Sequence, residues 1–384
     1  MTGPSATTLS DRQDYPARQL PGGKLHENLL TENGDRSKNY LPSQGTGRAA
    51  MSGIIRQRTG PAGSRILGVG AYRPMTVVSN ADICNQLDST PGWIESRSGI
   101  RSRRFAIAEE SLGAMAATAG GKALASAGVG IADVGCILVA TMSHVTQSPS
   151  VATDVAARLG AEKAAAFDIS AACAGFCHAL AVASDMVLAG SARYILVIGA
   201  ERMSDIIDPH DRSTAFLFGD GAGAIVVGPS ETAGIGPVVW GSDPSARDVI
   251  AHDHSYLDWR DNTDLPWPTM RMAGQQVFRW ASWQMAPVAR AALDEAGVTA
   301  DDLAAFIPHQ ANIRIINIMC RVLALPNTVT VARDVAIHGN TSGASIPLAM
   351  DEILASGQVP SGGLALLVGF GAGLVYAAQV VRLP

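Results

Sequence analysis

The chain has 384 residues, 47% of them hydrophobic and 16% charged, which is enough to bury a large core in two domains or two similar halves. Its net charge of −5 argues against a nucleic-acid-binding surface, while leaving room for a local basic patch that meets an acidic protein partner. No apolar run is long enough to span a bilayer and no signal-peptide pattern opens the chain, so a cytoplasmic protein is expected. Cys84, Cys136, Cys173, Cys177 and Cys320 are scattered, odd in number and without C-x-x-C spacing, which points to neither a disulfide framework nor a zinc site.

Residues 1–60 are polar, rich in Gly, Ser, Thr, Asn and Pro, and nearly free of apolar periodicity; they are expected to be a disordered extension, with Met51 as an alternative start of translation. Order begins with a strand over Arg65–Pro74, and Ser79 or Asn80 then caps a helix. Trp93 follows with Arg97, Arg101, Arg103 and Arg104 close behind. Two readings stand for this stretch: a solvated basic turn beside a half-buried indole, or a nucleotide clamp in which indole stacks on a base and guanidinium binds phosphate. Small apolar residues recur at helical spacing from Ser111 to Ala127, Cys136–Thr141 reads as a buried strand, and a further helix covers about Ser150 to Leu159.

Phe167–Phe176 (FDISAACAGF) then reads as a buried strand turning sharply, through small residues only, into a helix that runs to about Leu188. Cys173 stands at the turn, and Ala171, Ala172, Ala174 and Gly175 leave room for another molecule to reach its sulfur. Free N–H groups and the positive end of the helix dipole favour a thiolate there. Taken alone, Cys173 also fits an inert buried thiol.

Strands are next expected at Tyr194–Gly199 and Phe218–Val227. The glycines from Gly219 to Gly223 lack the Lys of a P-loop and the spacing of a dinucleotide fingerprint, so they read as a tight turn between packed strands. Residues 230–270 look irregular; His252 and His254 have no third ligand nearby and read as loop residues, and the segment is expected to wall a pocket. A helix from about Gly274 to Ala296 opens the second half, and the strand Phe306–Pro308 delivers His309-Gln310-Ala311-Asn312. Val329–Val331 is another strand, His338–Ser345 (HGNTSGAS) opens a helix, and Leu364–Gly373 precedes a closing strand. Alternating strands and helices predict a layered α/β fold, with halves at 61–235 and 236–384 that each place a polar residue after a buried strand. Alone, His309 fits an ordinary buried histidine and Asn340 a helix cap.

The segments around Cys173 (DISAACAGF), His309 (IPHQAN), Asn340 (HGNTSGAS) and Gly371 (GFGAG) together resemble β-ketoacyl-acyl-carrier-protein synthase III of the thiolase superfamily, in that family's order, from about Arg65 to Leu383. The stretches Trp93–Ile100 and Asp208–Thr214 are similar to its coenzyme A-binding segments. The resemblance implies a five-layer αβαβα fold of two similar halves, a homodimer, and no metal or redox cofactor. It further implies that Cys173 takes an acyl group from an acyl-CoA starter while the backbone N–H groups of Cys173 and Ala372 hold the oxyanion. His309 and Asn340 would bind the thioester carbonyl of malonyl-acyl-carrier protein through decarboxylation and condensation. Trp93 and Arg212 would sandwich adenine, Arg97 would hold a phosphate, and Arg314, Arg279 and Arg321 would dock the acidic carrier protein. Ser148 stands where acetyl-selective members carry a bulky aromatic that reaches the partner's acyl pocket, so longer or branched starters are expected. The alternatives are an acyltransferase that passes the acyl group to a hydroxyl or amine, a silent carrier-binding partner, and a Cys-His-Asn hydrolase.

Overall fold

The computed structural model describes residues 55–384; nearly all of the extension expected over 1–60, Met51 included, lies outside the described residues. Two five-stranded sheets organise the rest. The first runs, edge to edge, Gly63–Tyr72, Gly221–Ser230, Tyr194–Glu201, Val134–Ala140, Ala165–Ile169. The second runs Val239–Ser242, Val375–Arg382, Leu364–Gly371, Leu303–Pro308, Thr330–Val331. Numbered along the chain within each half, both sheets have the order first, fifth, fourth, second, third. In both, the last three strands are parallel and the fifth runs antiparallel to each of its neighbours. The halves are thus the same topology built twice.

The central strands are apolar almost throughout because both faces of each sheet are covered. Side chains alternate across a strand. Cys136 and Leu138 therefore face inward, onto a core shared with Phe176 and Leu180 of the helix Gly175–Leu188, Ile346 and Met350 of the helix Ser345–Ala355, and Ile307 and Leu367 of the second sheet. Ile137 and Val139 face outward, onto the helices Leu112–Ala127 and Val151–Leu159. On the far side, Phe306, Leu366 and Val368 pack against Gly274–Ala296 and Ile313–Val322. Helix, sheet, helix, sheet, helix make the five-layer αβαβα arrangement of the thiolase fold.

Local signals set several boundaries. Ser79 caps Asn80–Cys84 in a reciprocal capping box with Asp82, and Ser111 caps Leu112–Ala127, which ends on left-handed Gly128. Other expectations need correction. Trp93 and Arg97 lie on a helix, Pro91–Ser98, capped by Thr90, rather than on a turn. Residues 230–270 are less irregular than expected, with Val239–Ser242 as an edge strand and Ile250–His252 paired to Met270–Met272. The glycines beyond Gly219 serve strand packing more than a turn: Gly221 and Gly223 lie inside a strand, and a Cβ at Gly223 would stand 2.7 Å from the Leu348 backbone nitrogen.

The two halves pack backbone to backbone at Gly199, where a Cβ would collide with the Gly343 carbonyl oxygen and stand 3.0 Å from Ala344 Cα. All of those obstacles are backbone. Gly199→Ala is therefore expected to destabilise by about 1–3 kcal/mol. A lowered urea midpoint with unchanged slope would register it, and an unmoved midpoint would show that the seam yields freely.

Candidate active site

Each half ends its third strand, or the loop after it, in a short 3-10 turn that feeds a middle-layer helix. In the first half the turn is Ala172–Ala174, ahead of Gly175–Leu188; in the second it is Ser342–Ala344, ahead of Ser345–Ala355. Both turns hold their first residue in the left-handed region, Ala172 at φ 45° and Ser342 at φ 47°. Such a conformation in non-glycine residues is uncommon and gathers at functional sites. Cys173 and Gly343 occupy matching positions in the two turns, so a single nucleophile stands where the duplication offers two places.

Cys173 is buried at the start of its helix, as the sequence predicts, yet its protonation differs from expectation. Burial pushes the Cys173 thiol up to about 12; the Ser342 hydroxyl works against that shift and the Glu201 carboxylate adds to it. The group is therefore held as a thiol near neutral pH. Gly371 lies directly against it, where a Cβ would stand 2.7 Å from the Cys173 backbone nitrogen.

His309 follows the strand Leu303–Pro308, and its N–H donates to the Val368 carbonyl at 2.7 Å. Its Nδ1 lies 2.7 Å from Ser345 Oγ and its ring meets the Phe370 ring edge-on at 5.1 Å. Burial pushes its pKa down to about 3, so the ring is neutral. Asn340 is held by its backbone, donating to the Leu217 carbonyl at 2.8 Å and accepting from Gly219 N–H at 3.0 Å. Its Oδ1 accepts the Ser342 N–H at 2.8 Å. Asn340 does not cap the helices that follow, whose N-cap residues are Thr341 and Ala344; its Oδ1 closes a local turn onto Ser342 instead, which leaves the amide Nδ2 to act elsewhere.

One cavity of about 1140 Å³ gathers most of the predicted residues. Cys173, His309, Asn340 and Ala372 line it together with Trp93, Arg97, Arg212, Arg279 and Arg314. The first three are buried and the four arginines exposed, so the cavity runs from a closed end to a basic rim. At the rim Arg212 lies over the Trp93 indole at 4.9 Å, Arg97 at 5.9 Å, and Arg314 covers Phe278 at 4.9 Å. Ile250 and Met270, from the segment expected to wall a pocket, line it as well, and so does Met272 just beyond that segment. Arg321 and Ser148 do not line it: Arg321 is exposed and bonds the Asn317 carbonyl, and Ser148 is exposed on the loop before Val151–Leu159.

Sequence reasoning passed over Ser342, Ser345 and Glu201. Ser342 and Ser345 stand inside a quoted motif, but their roles depend on which way the turn points. Glu201 had a signal, a carboxylate closing an otherwise apolar strand.

Comparison with known proteins agrees with this architecture. The family model described as 3-oxoacyl-[acyl-carrier-protein (ACP)] synthase III matches residues 167–244, and its C-terminal counterpart matches 293–383. Beta-ketoacyl-[acyl-carrier-protein] synthase III of Streptomyces glaucescens is 55% identical over 330 residues, covering 86% of this chain and 99% of that protein. The mycobacterial beta-ketoacyl-[acyl-carrier-protein] synthase III of Mycobacterium avium is 49% identical, covering 86% and 98%. Among solved structures, the priming β-ketosynthase of the R1128 polyketide biosynthetic pathway superposes with a TM-score of 0.84 at 48% identity, covering 86% of this chain and 98% of that one. The 3-oxoacyl-[acyl-carrier-protein] synthase III of Aquifex aeolicus gives 0.77 at 38%, covering 83% and 100%. Duplicated topology, paired turns and identity across nearly the whole described chain place this protein in the β-ketoacyl-acyl-carrier-protein synthase III family, as an acyl-transferring condensing enzyme of the thiolase fold.

Proposed function

We propose that the chain joins an acyl-CoA starter to malonyl-acyl-carrier protein in two half-reactions within this one cavity, releasing a 3-ketoacyl thioester. The observation that carries the reading is the cavity itself, with Cys173, His309 and Asn340 at its buried end and a rim of arginines around Trp93. In the first half-reaction Cys173 sulfur attacks the thioester carbonyl, the carbon–sulfur bond to CoA breaks, and an acyl-enzyme remains. The Cys173 proton is given up as the departing CoA sulfur gains one, so the step leaves no net charge behind. Backbone N–H groups of Cys173 and Ala372 hold the oxyanion, a contribution of about 3–4 kcal/mol for such a donor.

In the second half-reaction the malonyl thioester enters by the same route. Loss of carbon dioxide moves an electron pair onto the thioester, and negative charge grows on its oxygen. With Ser345 Oγ, 2.7 Å from His309 Nδ1, as the donor, the ring proton would sit on Nε2, while the Ser342 N–H on Asn340 Oδ1 turns Nδ2 outward. Two neutral donors thus face the enolate oxygen; the enolate carbon attacks the acyl carbon on Cys173, the carbon–sulfur bond to Cys173 breaks, and the leaving thiolate takes a proton from water, which frees the enzyme and the 3-ketoacyl thioester. Trp93 and Arg212 would hold the adenine of CoA and Arg97 a phosphate; Arg314, Arg279 and Arg321 suit an acidic carrier protein.

A homodimer fits the same reading. The first sheet ends in Ala165–Ile169, whose outer edge no strand among the described residues covers and on which Phe167 is 40% exposed. Pairing of that edge with a second copy would bring Ser148 to the partner's acyl pocket and favour starters longer or more branched than acetyl. A cytoplasmic location accords with it; among the described residues no helix is long and apolar enough to cross a membrane.

Intact-protein mass spectrometry with a panel of acyl-CoAs tests the proposal. One starter mass is expected to appear on the enzyme and to be discharged as a 3-ketoacyl product when malonyl-acyl-carrier protein is added. An acyl-enzyme that malonyl-acyl-carrier protein never consumes, but an alcohol or amine does, would replace condensation with simple acyl transfer.

A further inference from the structure

Glu201 closes the strand Tyr194–Glu201 and is completely buried. No Arg, Lys or His forms an ion pair with it among the described residues. An unpaired buried carboxylate is costly unless hydrogen bonds replace its water. Here six donors do so. Thr141 Oγ1, Met142 N and Ser143 N reach it at 3.1 Å and Ser143 Oγ at 2.5 Å, all from the loop after Val134–Ala140. From the other half come Ser342 Oγ at 3.0 Å and Gly343 N at 3.2 Å. Three of the six are backbone N–H groups, which can only donate, so the pocket suits an acceptor-only carboxylate and works against the burial that pushes Glu201 above the ordinary carboxylate range.

We infer that Glu201 is a positioning residue for Asn340: by gripping Ser342 and Gly343 it fixes the left-handed turn whose N–H aims the Asn340 amide into the cavity. The link is short. Glu201 Oε1 holds the Ser342 hydroxyl and the Gly343 N–H, and the Ser342 N–H holds Asn340 Oδ1 at 2.8 Å. Were the turn to relax, the amide would be free to flip and present its oxygen to the growing negative charge. A side chain at position 343 would stand 3.0 Å from Glu201 Oε1 if it extended no further than Cβ, so the glycine there allows this close grip. The carboxylate, on the first half, thereby orients a donor on the second. The inference rests on the proposed role of Asn340 in condensation.

A double-mutant cycle tests it, with acyl-enzyme formation and condensation measured separately on the full chain. Glu201→Gln puts an NH₂ among converging donors and is expected to lower condensation about 10–100-fold, with a much smaller loss in Cys173 acylation. The double variant Glu201→Gln, Asn340→Ala is expected to condense no more slowly than Asn340→Ala alone, because in the condensation step the carboxylate would act through the amide. Losses that multiply in the double variant, or Glu201→Gln condensing at the wild-type rate, would overturn the inference. Asn340→Ala condensing at the wild-type rate would instead remove the proposed role of Asn340, and the inference with it. If the Gln variant does not fold, Glu201→Asp, which keeps the charge but draws back from the turn, takes its place in the same cycle.

Discussion

Cys173→Ala is expected to end acyl-enzyme formation and to lower condensation by at least about 10⁴-fold, the size of loss seen when an enzyme nucleophile is removed. The expectation follows from the matched turns: the second half has Gly343 at the corresponding position, and Cys177 is fully buried one helical turn along, so no other thiol can take over. Mass spectrometry of the variant after incubation with acyl-CoA should show the bare protein mass. Thermal stability should change little, since the change removes one sulfur at the cavity wall. Acylation persisting in the variant at a new site would mean that the cavity serves a different nucleophile.

Asn340→Ala and His309→Ala should separate the half-reactions. Each removes one donor from the enolate oxygen, and such a donor is worth about 10²–10³ in rate. Condensation is expected to fall by that much while Cys173 still takes up its acyl group within a few-fold of the normal rate. If both variants lose acylation and condensation equally, the two residues serve the first step instead, and the division between the halves is wrong. His309 adds a pH signature. Burial holds its pKa at about 3 against an ordinary 6.5, so between those values the unfolded chain binds a proton that the folded one refuses. Its contribution to stability is therefore complete above about pH 6.5 and is lost as pH falls toward 3. His309→Ala should flatten that part of the curve of unfolding free energy against pH.

Much of this arrangement was legible before any coordinates. The strand–turn–helix pattern around Cys173 gives its backbone setting, because a run of small residues after an apolar strand leaves few other conformations; Asn340 instead follows the short helix Val335–His338. The central strands were clear for the same reason: buried on both faces, they read as unbroken apolar runs. What escaped were features set by contact between distant segments. Val239–Ser242 is only four residues long and holds a glycine, so it passes for loop and becomes a strand by pairing with Val375–Ala378. The elevated Cys173 thiol was missed because a helix start can be judged locally, whereas the burial that outweighs it depends on Phe370, Gly371 and the second half. Arg321 reads like Arg314 from spacing alone, yet it lies off the cavity, on the exposed side of its helix.

The guanidinium already lying on the Trp93 indole has a bearing on turnover. On the proposed reading, adenine enters by parting two groups that attract each other, so the coenzyme exchanges one stacking contact for two and keeps only the difference. Closing the gap again helps to expel it. A single corridor has to be vacated by spent CoA before the malonyl thioester can follow, and a rim that restores its own contact as the coenzyme leaves shortens the interval during which the acylated enzyme is blocked.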